Sequence, residues 1–198
     1  MGAILKAAGL LLVAAIWTLQ LATAWADPWQ DLRRPLHLPD VAPGEPCPVS
    51  PVDEGVDWET AGIFGGSGTG PGPIYPGLGG GDPPGHIVAT KEHANDRWFA
   101  TKVFWYATPG YRRPALLRGA RLDGPGPLRF TQPLQRGGPV PGLRLRGFDK
   151  REDAQWRPPG ARGRPSGVYI KRPGCYGVQI DGTRFSRVVI FSASTQEE

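Results

Sequence analysis

The chain carries almost none of the residues on which metal and acid–base chemistry depends. Its 198 residues include three His, two Cys, one Met and a single Asn, Asn95. Asn95 is followed by Asp96 and Arg97, so no N-glycosylation sequon exists. His86 and His93 stand seven apart with Glu92 and Asp96 nearby, a spacing that fits no zinc pattern. No metal and no cofactor is therefore expected. Also absent are G-x-x-x-x-G-K-[ST], G-x-S-x-G and H-E-x-x-H, and the Gly-rich run from Gly65 to Gly72 contains no G-x-G-x-x-G. Those absences remove the phosphate loop, the nucleophile elbow and the zinc-protease helix. Room for ordinary helices is lacking too. The chain holds 29 Gly and 23 Pro, and between Gly62 and Gly85 they fill 16 of 24 positions. Pro removes a backbone donor and Gly costs entropy, so an all-β or loop-rich fold is predicted.

What is present begins with an export pattern. Lys6 precedes an apolar run from Ala7 to Leu21, and Ala24-Trp25-Ala26 precedes the charged Asp27. Small residues at Ala24 and Ala26 fit the A-x-A rule and predict a secretory signal peptide over 1–26, cut after Ala26. A run of about 15 residues is shorter than the ~20 needed to span a bilayer, so membrane attachment is expected only if the leader is retained. The expected location is secreted or cell-envelope, that is, extracytoplasmic. Cys47 and Cys175 both fall in the exported part. An even cysteine count in an oxidising compartment predicts one disulfide between them.

Charge is unevenly placed. The formal net charge is +5, yet residues 27–111 carry 5 basic and 11 acidic side chains, and residues 112–172 carry 15 and 4. An Arg-rich segment of this kind suggests an envelope polyanion or a glycan as partner through residues 112–172, against the plainer reading of a solvated face. Export makes nucleic acid a poor partner, and none is expected.

Residues 27–40 are short and polar and predict a loose linker; Val41 to Pro51 predicts an extended Pro-rich arm. Asp57 to Phe64 suggests a short edge element. Strands are predicted at Ile74–Pro76, Ile87–Thr90, Arg97–Thr108, Pro114–Leu122, Leu128–Thr131, Leu143–Gly147 and Val168–Lys171. Arg97–Thr108 is apolar on both faces, as a central strand should be. Cys175–Ile180 and Arg184–Ser192 flank Asp181-Gly182-Thr183, which predicts a closing hairpin turning at Asp-Gly, with Ser194 to Glu198 frayed. Seven or eight short strands point to a two-sheet sandwich. The expected organisation is a Pro/Gly-rich arm over 27–85 tied to a β-sandwich over 86–198.

Pro173-Gly174-Cys175-Tyr176-Gly177-Val178-Gln179-Ile180-Asp181-Gly182-Thr183, followed by Phe185-Ser186 and Val188-Val189-Ile190-Phe191, resembles the closing hairpin of uncharacterised secreted bacterial immunoglobulin-like proteins. Lys102-Val103-Phe104-Trp105, Pro109-Gly110-Tyr111-Arg112 and Leu117-Arg118-Gly119 resemble their middle, and Cys47-Pro48-Val49 and Gly72 to Pro76 their start. The resemblance covers about half the mature chain. It implies an immunoglobulin-like two-sheet sandwich with a Pro/Gly-rich N-terminal arm, and it brings no activity or catalytic residue with it. Cys47 departs from the immunoglobulin pattern because it sits in the Pro-rich segment, so a bridge here would tie an arm to a strand.

No residue is put forward as catalytic. Trp98, Trp105, Tyr111 and Trp156 are candidate platforms for stacking a sugar ring, although aromatics on a doubly buried strand are commonly core. Acid pairs such as Asp53/Glu54 and Asp57/Glu59 are candidates for glycoside hydrolysis, and nothing in their surroundings suggests a raised pKa. The expected function is an exported binding or structural accessory module without catalysis. The alternatives are a glycan-binding module using exposed Trp and Tyr, and an envelope hydrolase.

Overall fold

The computed structural model describes residues 27, 29–61, 67–78, 83–91, 97–131, 138–146 and 162–196. The chain divides into two compact units, residues 1–31 and 32–198. The described part of the first is one turn, in which Asp27 accepts the Trp29 amide on Oδ1 at 3.1 Å and the Gln30 amide on its carbonyl at 2.8 Å. The leader and its cleavage point lie outside the described residues. Among the described residues no helix is long and apolar enough to cross a membrane.

The second unit is all-β. Its strands among the described residues are β1 (Ile74–Gly77), β2 (His86–Lys91), β3 (Phe99–Ala107), β4 (Ala115–Arg121), β5 (Arg129–Phe130), β6 (Gly142–Leu145), β7 (Arg162–Ile170), β8 (Gly174–Gly182) and β9 (Ser186–Gln196). They form one mixed sheet in the order β5-β7-β3-β2-β9-β8-β4-β6. All pairings are antiparallel except β2 with β9. At the two ends of this path, Phe130 and Val140 exchange backbone hydrogen bonds of 2.9 and 2.8 Å, joining β5 to the residues just before β6. The sheet therefore nearly closes on itself around one core. The expected division into two sheets is not how the strands hydrogen-bond. β3 changes partner along one edge, pairing β2 at Phe99 and Ala100 and β1 from Phe104 to Ala107, which keeps the ladder continuous.

β3 shows why it is central. Val103, Trp105 and Ala107 point into the main core with Ile74, Leu117, Phe130, Ile180 and Phe191. Tyr106 and Phe104 point the other way and are covered by Tyr75, Trp58 and Val56. Trp58 sits edge-on to Tyr75 at 5.1 Å and to Tyr106 at 5.8 Å, and aromatic pairs in this geometry add to simple area burial. Of Asp57 to Phe64, expected as an edge element, residues 58–61 are turn and 62–64 lie outside the described residues.

Three expectations about the chain ends are corrected. Residues 32–40 are no loose linker but an extended strap lying on the outer face of β8. The Gln179 side chain accepts the His37 amide at 2.7 Å and donates to the Pro35 carbonyl at 2.9 Å. Leu38 packs over Gly177, where a Cβ would come within 3.2 Å of Leu38 and 3.0 Å of Leu122, so the crossing depends on a missing side chain. Second, Asp181 and Gly182 belong to β8. Asp181 pairs with Ser186, and the hairpin turns at Thr183-Arg184, with the Gly182 amide donating to the Phe185 carbonyl at 3.0 Å. Third, the expected fray does not start at Ser194, because β9 runs to Gln196 and Ser192 to Gln196 pair in parallel with β2.

The arm continues to Cys47, which is disulfide-bonded to Cys175 with 5.3 Å between the Cα atoms. Around the bridge, Val41, Leu122 and Cys175 form a small second-face core with Leu38, Cys47 and Ile190. Beyond it, the Ser50 amide donates to the Ile190 carbonyl and the Ser50 hydroxyl accepts the Ile190 amide, both at 2.9 Å. Val52 then bridges to Thr69 and Gly68 to Gly77. The arm thus fills the seam between the first half of β9 and β1, hiding edges that would otherwise invite pairing with another chain. The two cysteines are 128 positions apart, so the bridge restrains most of the unfolded unit. Replacing both by Ser is expected to lower unfolding free energy by about 2–5 kcal/mol in urea titrations; a shift below a few tenths of that would show the arm to be held without it.

Candidate functional site

Two polar sites are built into the fold, at opposite ends of β8. The first is closed. Asp181 has no exposure, and its carboxylate accepts from the Arg118 guanidinium at 2.7 Å, the Ser186 hydroxyl at 2.7 Å and the Gln179 amide at 3.0 and 3.1 Å. Arg34, from the strap, stands 3.6 Å from the same carboxylate and donates to the Phe185 carbonyl at 2.6 Å. Arg118 also donates to the Arg34 carbonyl. A buried carboxylate is tolerable only when its lone pairs are filled and its charge is paired. Here every partner is structural, and no space is left for a substrate. This is a clamp between strap, β4 and β8.

The second site is open. β4 ends at Arg121, and the turn after it carries Pro125, Gly126 and Pro127; β7 ends beside Lys171 and Arg172, and β8 begins near Tyr176. These residues line a cleft of about 320 Å3. Its base is Tyr176, stacked on Phe191 at 5.8 Å, with its hydroxyl donating to the Arg172 carbonyl at 2.6 Å. Burial pushes the Tyr176 phenol up to about 12, so it remains a neutral donor throughout the physiological range. That bond holds the β7–β8 turn to the cleft floor. Arg121 donates to Asp123 through Nε at 2.6 Å and Nη2 at 3.4 Å. The Arg121 hydrogen bond is the main reason the Asp123 carboxyl lies below its ordinary pKa. Lys171 places its ammonium 5.1 Å from the Trp98 ring centre, a cation–π arrangement, and Trp98 meets Tyr169 edge-on at 6.4 Å. Among the described residues neither Lys171 nor Arg172 has a carboxylate partner.

The sequence-derived candidates are distributed differently from the expectation. Cys47 and Cys175 form the predicted disulfide. Trp105 is 1% exposed and donates its indole N–H to Ser166 at 2.9 Å, so it is core and can present no face to a ligand. Tyr111 is half-buried, edge-on to Phe185 at 5.2 Å, with its hydroxyl donating to the Pro114 carbonyl at 2.6 Å. It follows β3 and Trp98 precedes it, so the two stand at opposite ends of that strand and form no common platform. Trp156 and His93 lie outside the described residues. Of the three described aromatics, Trp98 reaches the cleft through its contact with Lys171 and is not part of the lining. His86 hydrogen-bonds Ser192 and Ser194 on the parallel β2–β9 pair, both at 2.9 Å. Asp53 accepts the Tyr75 hydroxyl at 2.6 Å, and Asp57 accepts the Thr60 hydroxyl at 2.7 Å. Asp57 thus serves a local turn, and Asp53 ties the arm to β1. Among the described residues no group of His, Cys, Asp and Glu is placed to hold a metal. The Arg-rich segment is split by the fold: Arg118 goes to the clamp, while Arg121, Lys171 and Arg172 converge on the cleft.

Apart from Tyr176, the cleft residues lie in the Arg-rich segment 112–172 read as a partner surface, but none of them was singled out from sequence as a site residue. The signal was weak but present, as Asp123-Gly124-Pro125-Gly126-Pro127 is a stiff turn directly after an Arg-bearing strand end.

No protein-family model matches the chain, and no curated protein matches it. Among solved structures, the CooA pilin subunit from enterotoxigenic Escherichia coli is similar to it at 13% identity and a TM-score of 0.33, with 58% of this chain and 90% of that chain covered. A likeness of that size supports no conclusion about this chain.

Two outcomes test the sites. Arg118→Met leaves Asp181 buried without its main counter-charge and is expected to cost about 3–5 kcal/mol; Arg118→Met with Asp181→Leu should recover part of that loss in urea titrations. Asp123 has a lowered folded pKa, so its stabilising contribution is present above the ordinary carboxylate pKa and is lost as pH falls through the folded value. Asp123→Asn is therefore expected to be less stable than the parent at pH 7, by less than about 1 kcal/mol. The difference should vanish toward pH 2; a constant difference would remove the ion pair as its cause.

Proposed function

We propose that this protein is an exported, non-catalytic accessory module of the cell envelope or medium that binds a ligand at the open end of its sheet. The carrying observation is the Cys47–Cys175 disulfide, which ties a Pro-rich arm to the strand bearing the closing hairpin. A bridge at that position suits an oxidising compartment, as does the secretory leader read from residues 1–26. The immunoglobulin-like class is part of the proposal. It is supported by the strand-only unit and by the late Cys-bearing strand of the resemblance.

Absence of catalysis is supported by what the polar groups do. Asp53, Asp57 and His86 each satisfy a structural partner, and Asp181 is closed off from solvent. The glycan-binding alternative gains one specific support, the Trp98–Lys171 pair beside a cleft with proline walls. The partner class read from the basic segment, an envelope polyanion or a glycan, is carried forward as part of the proposal.

The test is expression of the full chain in a bacterium, fractionation, and intact mass with and without reduction before alkylation. A chain starting at Asp27, found outside the cytoplasm with both thiols protected until reduction, is the expected result. A full-length cytoplasmic chain with both thiols alkylated at once would contradict the proposal.

A further inference from the structure

We infer that the cleft between Arg121, Lys171 and Arg172 binds an acidic sugar residue, a ring bearing a carboxylate or phosphate. The inference deepens the binding reading above by naming the ligand class. Three cations from two turns, Arg121 at the end of β4 and Lys171-Arg172 after β7, converge there, and one carboxylate, Asp123, answers Arg121. Lys171 and Arg172 leave a surplus positive charge that an incoming anion would relieve. Arg121 is itself oriented by Asp123, and Lys171 by the Trp98 face, so both charges are held before a ligand arrives.

The rest of the lining decides what carries the anion. Pro125 and Pro127 are rigid rings, Gly126 between them presents bare backbone, and Tyr176 closes the floor. The two proline rings are apolar surfaces suited to the C–H face of a ring, and they would be wasted on a free inorganic ion, while Tyr176, 1% exposed, backs the cleft without presenting a face of its own. A volume of about 320 Å3 is at the small end of ligand cavities, which argues for one ring in the cleft rather than a buried oligomer. Trp98, which carries the Lys171 ammonium against its ring, adds an aromatic surface next to a lining residue for a following ring. Because the cleft is open at the surface, a terminal or internal residue of an acidic polymer is the fitting occupant.

The experiment titrates the oxidised, purified mature chain with digalacturonate, glucose 6-phosphate, maltose, inorganic phosphate and phosphatidylglycerol vesicles. Calorimetry is paired with amide chemical shifts. Digalacturonate or glucose 6-phosphate is expected to bind at least about tenfold more tightly than maltose or phosphate, moving the Gly126 and Tyr176 amides; which of the two binds identifies carboxylate or phosphate as the anion. The Lys171→Ala/Arg172→Ala variant should lose about tenfold or more, and Arg112→Ala/Arg113→Ala, equally basic but outside the cleft, should not. Equal loss in both variants, binding to vesicles alone, equal affinity for maltose, or no binding by the parent chain would each overturn the assignment. If intact mass shows export and the disulfide while no acidic sugar binds, the ligand assignment fails and the accessory reading stands. A cytoplasmic chain with free thiols removes the accessory reading whatever the titration gives.

Discussion

The buried carboxylate of Asp181 is the constraint around which the second unit is arranged. A fully desolvated negative charge near the end of a strand must be answered, and no single neighbour can do it. Arg118 answers from β4, Ser186 from β9, Gln179 from two positions back on β8, and Arg34 from the strap. Two segments distant in the chain, the strap and β4, thus meet the β8–β9 hairpin at one oxygen pair. Burial of β8 on both faces follows from this, because the strap that brings Arg34 also covers Gln179 and Gly177.

From that point the strap runs antiparallel over β8 to its second anchor, the disulfide at Cys175. One face of β8 packs Tyr176, Val178 and Ile180 into the main core; the other carries polar and small residues under the strap. The two anchors differ in kind. The ionic one is directional and fixes the strap's register, while the covalent one acts mainly through the unfolded chain. After the bridge, the arm's backbone takes over the edge of β9, which lets the nearly closed sheet finish without an open seam. The basic cleft opens beside this second anchor, at the strand ends and turns where loops can carry function without disturbing the core.

Much of this frame was legible in the sequence. Arg97–Thr108 announced a strand apolar on both faces, and β3 is that strand, shortened to Phe99–Ala107. The pairing of the cysteines followed from count and compartment. Three features were hidden for physical reasons. β7 extends back to Arg162 although Gly163, Pro165 and Gly167 read as loop, because pairing along the whole of β3 supplies the stability that local propensity withholds. Asp181-Gly182 read as a turn, since Asp-Gly favours one; burial of the carboxylate among arginines moved the turn by two residues. The strap looked like a polar linker because its stabilising partners, Gln179 and Asp181, are more than 140 positions away, beyond any local pattern. The cleft was invisible for the same reason, being assembled from two turns far apart in the chain, one after β4 and one between β7 and β8.

The central claim is that the strap is an integral layer of the second unit and not an appendage. Native-state hydrogen exchange tests it most directly, through the His37 amide, which donates to Gln179, and the Ser50 amide, which donates to Ile190. If the claim holds, both exchange only by global opening, with the same free energy and denaturant dependence as core amides such as that of Ile180. Exchange of His37 and Ser50 at free energies several kcal/mol below the core, insensitive to denaturant, would contradict it.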